Sequence, residues 1–164
     1  MKVPLTIERL REAMYYDPQT GIFVWKIKPN RRISIGNEAG TQLRGYKMIR
    51  LDGAHYACAR VAYLYMTGEW PSGEMDHYDG NPLNNRCGNL RNVTRSENAQ
   101  NQRRAHRGST VEYLGVSLNK KHTAYRARIF LDGKETGLGE YDSPILAHTA
   151  YVKAKRKLHK AGTL

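Results

Sequence analysis

Cysteine is scarce and poorly placed for either of its usual roles. The 164 residues hold two, Cys58 and Cys87, with no C-x-x-C spacing. That argues against a disulfide framework and a cysteine-ligated zinc site, and it fits a reducing cytoplasmic setting. Long apolar runs are missing as well. Nothing approaches the ~18 consecutive apolar residues of a membrane span, and the opening MKVPLTIERL has no apolar stretch of the secretory kind. Mean hydropathy is −0.70, so a water-soluble chain with modest cores and no membrane partner is expected. Aromatic residues make up 9% of the chain. That is too few for the base-stacking ladder of a single-strand binder, which counts against an RNA-binding nucleoprotein.

Acidic residues are few beside the basic ones, 15 against 27, for a net charge of +12. The excess is steepest at the C-terminal end, where the last 64 residues carry thirteen basic and five acidic side chains. A balance of this kind points to a polyanion, because neutralising phosphates releases condensed counterions. A membrane surface is the poorer partner, since no basic amphipathic helix has an aromatic face.

Local signals divide the chain. Thr6 suits an N-cap, with Leu5 able to staple onto Leu10, and Ile7, Leu10, Ala13 and Met14 recur at helical spacing. Asp17-Pro18-Gln19-Thr20-Gly21 is a turn, and IFVWKIK (22–28) reads as a strand. GYKMIRLDGAHYA (45–57) reads as a hairpin about Asp52-Gly53. CARVAYLYMTG (58–68) reads as a helix closed by Gly68. After a polar basic stretch, YLGVSL, TAYRARIFL and KETGLGEY read as three strands, with Asp132-Gly133 as the second hairpin turn. A final helix begins at Asp142 or Ser143 with Pro144 in its first position. Its apolar stripe is Ile145 or Leu146, Ala147, Ala150, Tyr151, Ala154 and Leu158. Its solvent face is Lys153, Lys155, Arg156, Lys157 and Lys160.

The densest chemistry lies in EMDHYDGNPLNNRCGNLRNVTRSENAQN (74–101), which holds seven asparagines behind Asp76-His77. Asn89 lies twelve residues after His77 and Asn98 twenty-one after it. Thr94 and Glu97 form a T-x-x-E capping box, which places Asn98 in the first turn of a helix. Two short strands, a loop and a helix can bring an aspartate, a histidine and an asparagine together. Carboxylate and amide oxygens suit a hard divalent cation, and histidine is the usual general base. Asn81, Asn84, Asn85 and Asn92 read as turn stabilisers. The other histidines (His55, His106, His122, His148, His159) lack ligand spacing and read as surface residues, and Cys87 as a small filler.

This stretch resembles the HNH nucleases of the ββα-metal fold, in their phage and intron-encoded branch. The matching residues are Asp76-His77, Asp79-Gly80-Asn81, Asn84-Asn85-Arg86, Asn89-Leu90-Arg91, Val93-Thr94, Glu97-Asn98 and Asn101. The resemblance extends upstream through YDPQTGIFVWK, GYKMIRLDG and RVAYLYMTGEWP. It implies His77 as general base, Asn89 as the asparagine that orients the site, and Asp76 and Asn98 as ligands of one Mg²⁺ or Mn²⁺. Asn98 stands where many relatives have a third histidine, a replacement seen in the homing-endonuclease branch. Ala59-Arg60 stands where relatives often read His-Arg.

Residues 113–162 resemble the DNA-binding domain of plant ethylene-response factors. The resemblance rests on Tyr113-Leu114-Gly115-Val116-Ser117, Tyr125-Arg126-Ala127-Arg128-Ile129, Gly133-Lys134, Leu138-Gly139-Glu140-Tyr141-Asp142, Ala147 and Ala150-Tyr151. Tyr125 replaces the commoner tryptophan there. In that family the sheet lies in the major groove. Alternation along TAYRARIFL puts Arg126 and Arg128 on one face, able to grip guanine edges or phosphates. Lys120, Lys121 and Lys134 extend that surface, and Arg103 and Arg104 add charge in the linker.

The expected fold is α+β. An N-terminal ββα-metal HNH domain (1–101, core motif 74–101) and a linker (102–110) precede a small three-stranded antiparallel sheet packed on one helix (111–164). The expected function is metal-dependent nicking of double-stranded DNA by a monomer, in the host cytoplasm if phage-encoded. The rival is a non-catalytic DNA-binding regulator with a decayed site.

Overall fold

In the computed structural model, which describes residues 5–106, 108–131, 133–160 and 162, Thr6 caps the first helix, α1 (Ile7–Ala13), by accepting a hydrogen bond from the Arg9 amide at 3.2 Å. The helix buries Leu10 and Ala13, but the helical spacing does not continue to Met14. Met14 opens strand β1 (Met14–Asp17), which pairs antiparallel with β2 (Ile22–Trp25) around the Asp17–Gly21 turn. A two-residue strand, β3 (Glu38–Ala39), completes that sheet in the order β1-β2-β3.

The second sheet, β4 (Thr41–Leu43), β5 (Tyr46–Leu51) and β6 (Ala54–Ala57), is antiparallel. Asp52 and Gly53 turn between β5 and β6 with φ of 49° and 76°, the paired positive values of a type I′ hairpin. Helix α2 (Cys58–Thr67) follows at once and stops at Gly68, whose left-handed φ of 84° suits a C-cap. Leu10, Met14, Tyr16, Phe23, Ile49, Cys58, Val61 and Leu64 form the core between these elements. Tyr16 and Phe23 lie 1% exposed with ring centroids 4.6 Å apart, and each contributes roughly 1.5–3 kcal/mol by leaving water.

A hairpin, β7 (Glu74–His77) with β8 (Leu90–Val93), closes the first of two units, Met1–Val93. The second unit is Thr94–Leu164, so the division falls before the expected boundary at 101 and assigns the following helix to the second unit. That helix, α3 (Arg95–Gln100), carries the capping box: Thr94 Oγ1 accepts from the Glu97 amide and Glu97 accepts from the Thr94 amide. Farther on, β9 (Val116–Leu118), β10 (Tyr125–Leu131) and β11 (Lys134–Tyr141) form a three-stranded antiparallel sheet in the order β11-β10-β9. Helix α4 (Pro144–Leu158) packs on it, with Ser143 as N-cap and Pro144 at the first position. Asp132, expected in the second hairpin turn, lies outside the described residues.

Helix α4 and its C-cap correct three expectations. Ile145 and Leu146 are 59% and 57% exposed, because the buried stripe runs through Ala147 and Tyr151 and then Lys155. Lys155, expected on the solvent face, is 1% exposed. Its ammonium donates to the Gln102 carbonyl and stands 5.8 Å from the Tyr151 ring centroid. Burial, followed by the nearby Arg103 charge, pulls its pKa down to about 8. His159, expected at the surface, is also buried, with Nε2 2.8 Å from the Phe130 carbonyl oxygen.

Candidate active site

Asp76 and His77 end strand β7, and both are buried, at 5% and 7% exposure. The chain then enters a loop held by asparagine and aspartate side chains bonded to nearby backbone. The Asp79 carboxylate accepts from the Asn81 amide at 2.8 Å, Asn84 Nδ2 at 2.7 Å and Asn89 Nδ2 at 3.0 Å. Partial burial raises the Asp79 pKa, but these hydrogen bonds outweigh it and hold the group below its ordinary value. Asn81 in turn accepts from the Leu83 amide at 3.1 Å.

Asn89 is the hub of the loop. Its Nδ2 also donates to the Asn84 carbonyl at 2.8 Å, its Oδ1 accepts from the Asp79 amide at 3.0 Å, and its carbonyl accepts from the Tyr78 amide at 2.8 Å. Its side chain therefore fixes the turn that leaves His77. The group that faces the imidazole at 3.3 Å is Asn85 Oδ1, opposite Nε2. Asn85 is 2% exposed, and its Nδ2 donates to the Leu83 carbonyl at 3.2 Å. That bond orients the amide so that its oxygen meets the histidine. An amide oxygen only accepts, so this contact is a hydrogen bond where Nε2 carries the imidazole proton.

Asn85 thus adds a contact to the imidazole to the turn role read for it. The loop is anchored from upstream, too. Tyr16 Oη donates to the Asn85 carbonyl at 2.7 Å, and the Cys87 amide donates to the Pro18 carbonyl at 3.0 Å. Gly21, at φ +74°, lies so close that a Cβ there would stand 2.4 Å from the Asn85 carbonyl carbon. The turn YDPQTG is therefore part of the frame of the site.

Across the hairpin, Arg91 pairs in register with Asp76 and donates to Asp76 Oδ2 through Nε at 3.0 Å and through Nη2. Ala59 lies 5% exposed in the first turn of α2, and Arg60 donates to the Pro71 and Gly73 carbonyls at 3.2 Å each. Asn98 lies half-buried on α3, in the second unit.

The donor chemistry suits the divalent cation expected here. Asp76 offers a buried carboxylate oxygen that already faces a positive group, a hard ligand of the kind Mg²⁺ and Mn²⁺ accept. Among the described residues no three His, Cys, Asp or Glu side chains gather.

In the second unit, Arg126 and Arg128 project from β10 on the exposed side, while Ala127 and Ile129 are buried. Arg126 Nε lies 3.5 Å from Glu140, and Arg128 Nη1 3.2 Å from Glu135. Phe130 shares the exposed side at 56%. Lys120 and Lys121 are exposed between β9 and β10, and Arg103 and Arg104 are exposed before the sheet.

Comparison with known proteins gives the family of the stretch that carries these residues. The profile described as HNH endonuclease matches residues 56–100, the span from β6 through α3. Protein 3.8 of Escherichia phage T7 is 32% identical over 94 residues, which cover 56% of this chain and 75% of that protein. A prophage-derived protein of Bacillus subtilis (strain 168), whose name places it among the HNH homing endonucleases, is 29% identical over 92 residues. These cover 56% of this chain and 53% of that protein. No solved structure matches the chain. The chain belongs to the HNH endonuclease family. No helix among the described residues is long and apolar enough to cross a membrane.

Proposed function

We propose that the protein is a metal-dependent endonuclease that nicks double-stranded DNA in the host cytoplasm as a monomer, with its general base and first metal ligand on the β7–β8 hairpin. The observation that carries the reading is the buried His77, oriented by Asn85 at the end of β7, inside the span that matches the family. His77 takes the proton of a water molecule on Nδ1, and that water attacks phosphorus. Asn85 holds the opposite edge of the ring and so helps to orient the imidazole. Asn89 acts through the loop, by fixing the turn that follows His77. Asp76 and, from the sequence pattern, Asn98 supply oxygen ligands to one Mg²⁺ or Mn²⁺. When bound, that cation supplies charge for the added negative charge and the leaving oxygen.

The sheet of β9, β10 and β11 with α4 is the DNA-contact module, of the ethylene-response-factor kind. Arg126 and Arg128 lead it, and Lys120, Lys121, Arg103 and Arg104 add to its positive charge. The exposed alternation along β10 and the basic excess of the C-terminal residues support this assignment. A single nuclease site cuts one strand, so the product is an open circle.

The test uses supercoiled plasmid with Mg²⁺, Mn²⁺ or EDTA, and compares the native chain with His77→Ala. Open circles that require metal and disappear with His77→Ala are expected. Retardation of DNA without cleavage, on plasmid and on a phage-genome library alike, refutes the nuclease and leaves a DNA-binding regulator.

A further inference from the structure

Asp76 and Arg91 sit directly opposite each other in the β7–β8 register. Two guanidinium contacts, from Nε at 3.0 Å and from Nη2, fall on one carboxylate oxygen, Oδ2. The two side chains differ in exposure, 6% for Asp76 and 27% for Arg91. The guanidinium carbon lies 5.0 Å from the Tyr78 ring centroid. A carboxylate buried this deeply needs a positive partner, because water no longer solvates its charge. Arg91 supplies that charge from a strand position that keeps part of its side chain in solvent. The oxygen it holds is a hard ligand that the hairpin offers to a cation.

Resting on the metal reading of Asp76 above, we propose that Arg91 is a built-in placeholder for the divalent cation, so that guanidinium and metal compete for Asp76. Arg91 leaves when a second anion accepts the same two-pronged grip, and a phosphodiester has the right geometry. Off DNA, the carboxylate is then occupied and the cation binds weakly. On DNA, the phosphate draws Arg91 away and the cation binds tightly. By linkage, metal strengthens DNA binding by the same factor as DNA strengthens metal binding. A nuclease built this way loads its cation where a phosphate is present.

The test is Mn²⁺ binding to the full chain without DNA, followed by the electron-paramagnetic signal of free Mn²⁺. It compares native protein, Arg91→Gln, Arg91→Lys and Asp76→Asn. Arg91→Gln is expected to bind Mn²⁺ about tenfold tighter than native, the scale of one lost charged hydrogen-bond pair. Arg91→Lys keeps the charge but cannot set two nitrogens on one oxygen, so its affinity falls between. Asp76→Asn loses the binding. Thermal melts guard against misfolding, since Mn²⁺ should raise the Tm of Arg91→Gln by more than that of native protein. If Mn²⁺ binding depends on Asp76 but is equal or weaker in Arg91→Gln, the placeholder is wrong and the metal reading stands. If no chain shows Asp76-dependent binding, both are wrong.

Discussion

Replacing Gly21 with alanine tests whether the upstream turn is part of the active-site frame. Two costs are separable. The first is conformational: Gly21 has φ +74°, and an L-residue held there costs roughly 1–2 kcal/mol. The second is contact. The new Cβ would stand 2.4 Å from the Asn85 carbonyl carbon and 2.5 Å from the Arg86 amide nitrogen. Both are backbone atoms that cannot rotate aside, so the turn must back away from the loop. Retreat breaks the Tyr16–Asn85 and Cys87–Pro18 hydrogen bonds, about 1 kcal/mol each. The total is about 3–4 kcal/mol, and at roughly 2–4 °C per kcal/mol for a chain of this length the Tm should fall by about 10 °C. Gly36→Ala is the matched control, with φ +86° and nothing within 4 Å of the added carbon. It bears the first cost alone. Calorimetry on both variants, with plasmid nicking below their melting range, reads the difference. Gly21→Ala should melt several degrees below Gly36→Ala and lose nicking, because Asn85 no longer holds His77. Equal losses of Tm in the two variants, with nicking intact in both, would refute the idea that the turn braces the site.

Two further predictions concern the second unit. Lys155 is charged in both folded and unfolded chains below pH 8, so its burial cost is fully present there. Between about 8 and its ordinary 10.5, the folded chain has lost a proton that the unfolded chain keeps, so stability rises by about 1.4 kcal/mol per pH unit. The buried Cys58 thiol, pushed from 9.0 up to about 12, acts in the opposite sense above pH 9. The comparison therefore belongs between pH 8 and 9, where denaturant titrations should show that slope in native protein and its loss in Lys155→Met; equal slopes would count against the buried amine. Replacing both Arg126 and Arg128 with alanine should weaken DNA binding and reduce the slope of log affinity against log salt by about 2, if each neutralises one phosphate. An unchanged slope in filter-binding titrations would remove β10 from the interface.

Several elements were legible because a single residue type decides them. Asp52-Gly53 demands a type I′ hairpin, Gly68 accepts the left-handed C-cap, and Thr94 with Glu97 caps α3. Pro144 behind Ser143 marks the start of α4 in the same way. Each of these signals is complete within about four residues. Strand β1 was hidden because Met14 continues the spacing of Leu10 and Ala13. Only pairing with Trp25 and its neighbours, across a turn, makes that segment extended. Lys155 is hidden for a related reason: the helical wheel places it among lysines, and the carbonyl that accepts from its buried ammonium belongs to Gln102, fifty-three positions away.

The candidate site divides along the same line. Asp76, His77 and Asn89 stand out by spacing, since the chemistry restricts which residue types can occupy those places. Their partners do not stand out. Asn85 is one of seven asparagines in its stretch, and it is distinguished only once the Asp79 and Asn89 hydrogen bonds fold the loop and turn its amide toward His77. Arg91 reads as one more basic residue until the hairpin register sets it opposite Asp76. A loop of polar side chains buries little apolar surface of its own, so its shape must be imposed by neighbours that do. Here Tyr16 links the two: its ring lies in the Leu10–Phe23 core while its hydroxyl holds the Asn85 backbone. Core packing is thereby transmitted to the imidazole in two steps, from Tyr16 to Asn85 and from Asn85 to His77. A volume-conserving change in that core that tilts Tyr16 should therefore alter nicking before it alters the fold.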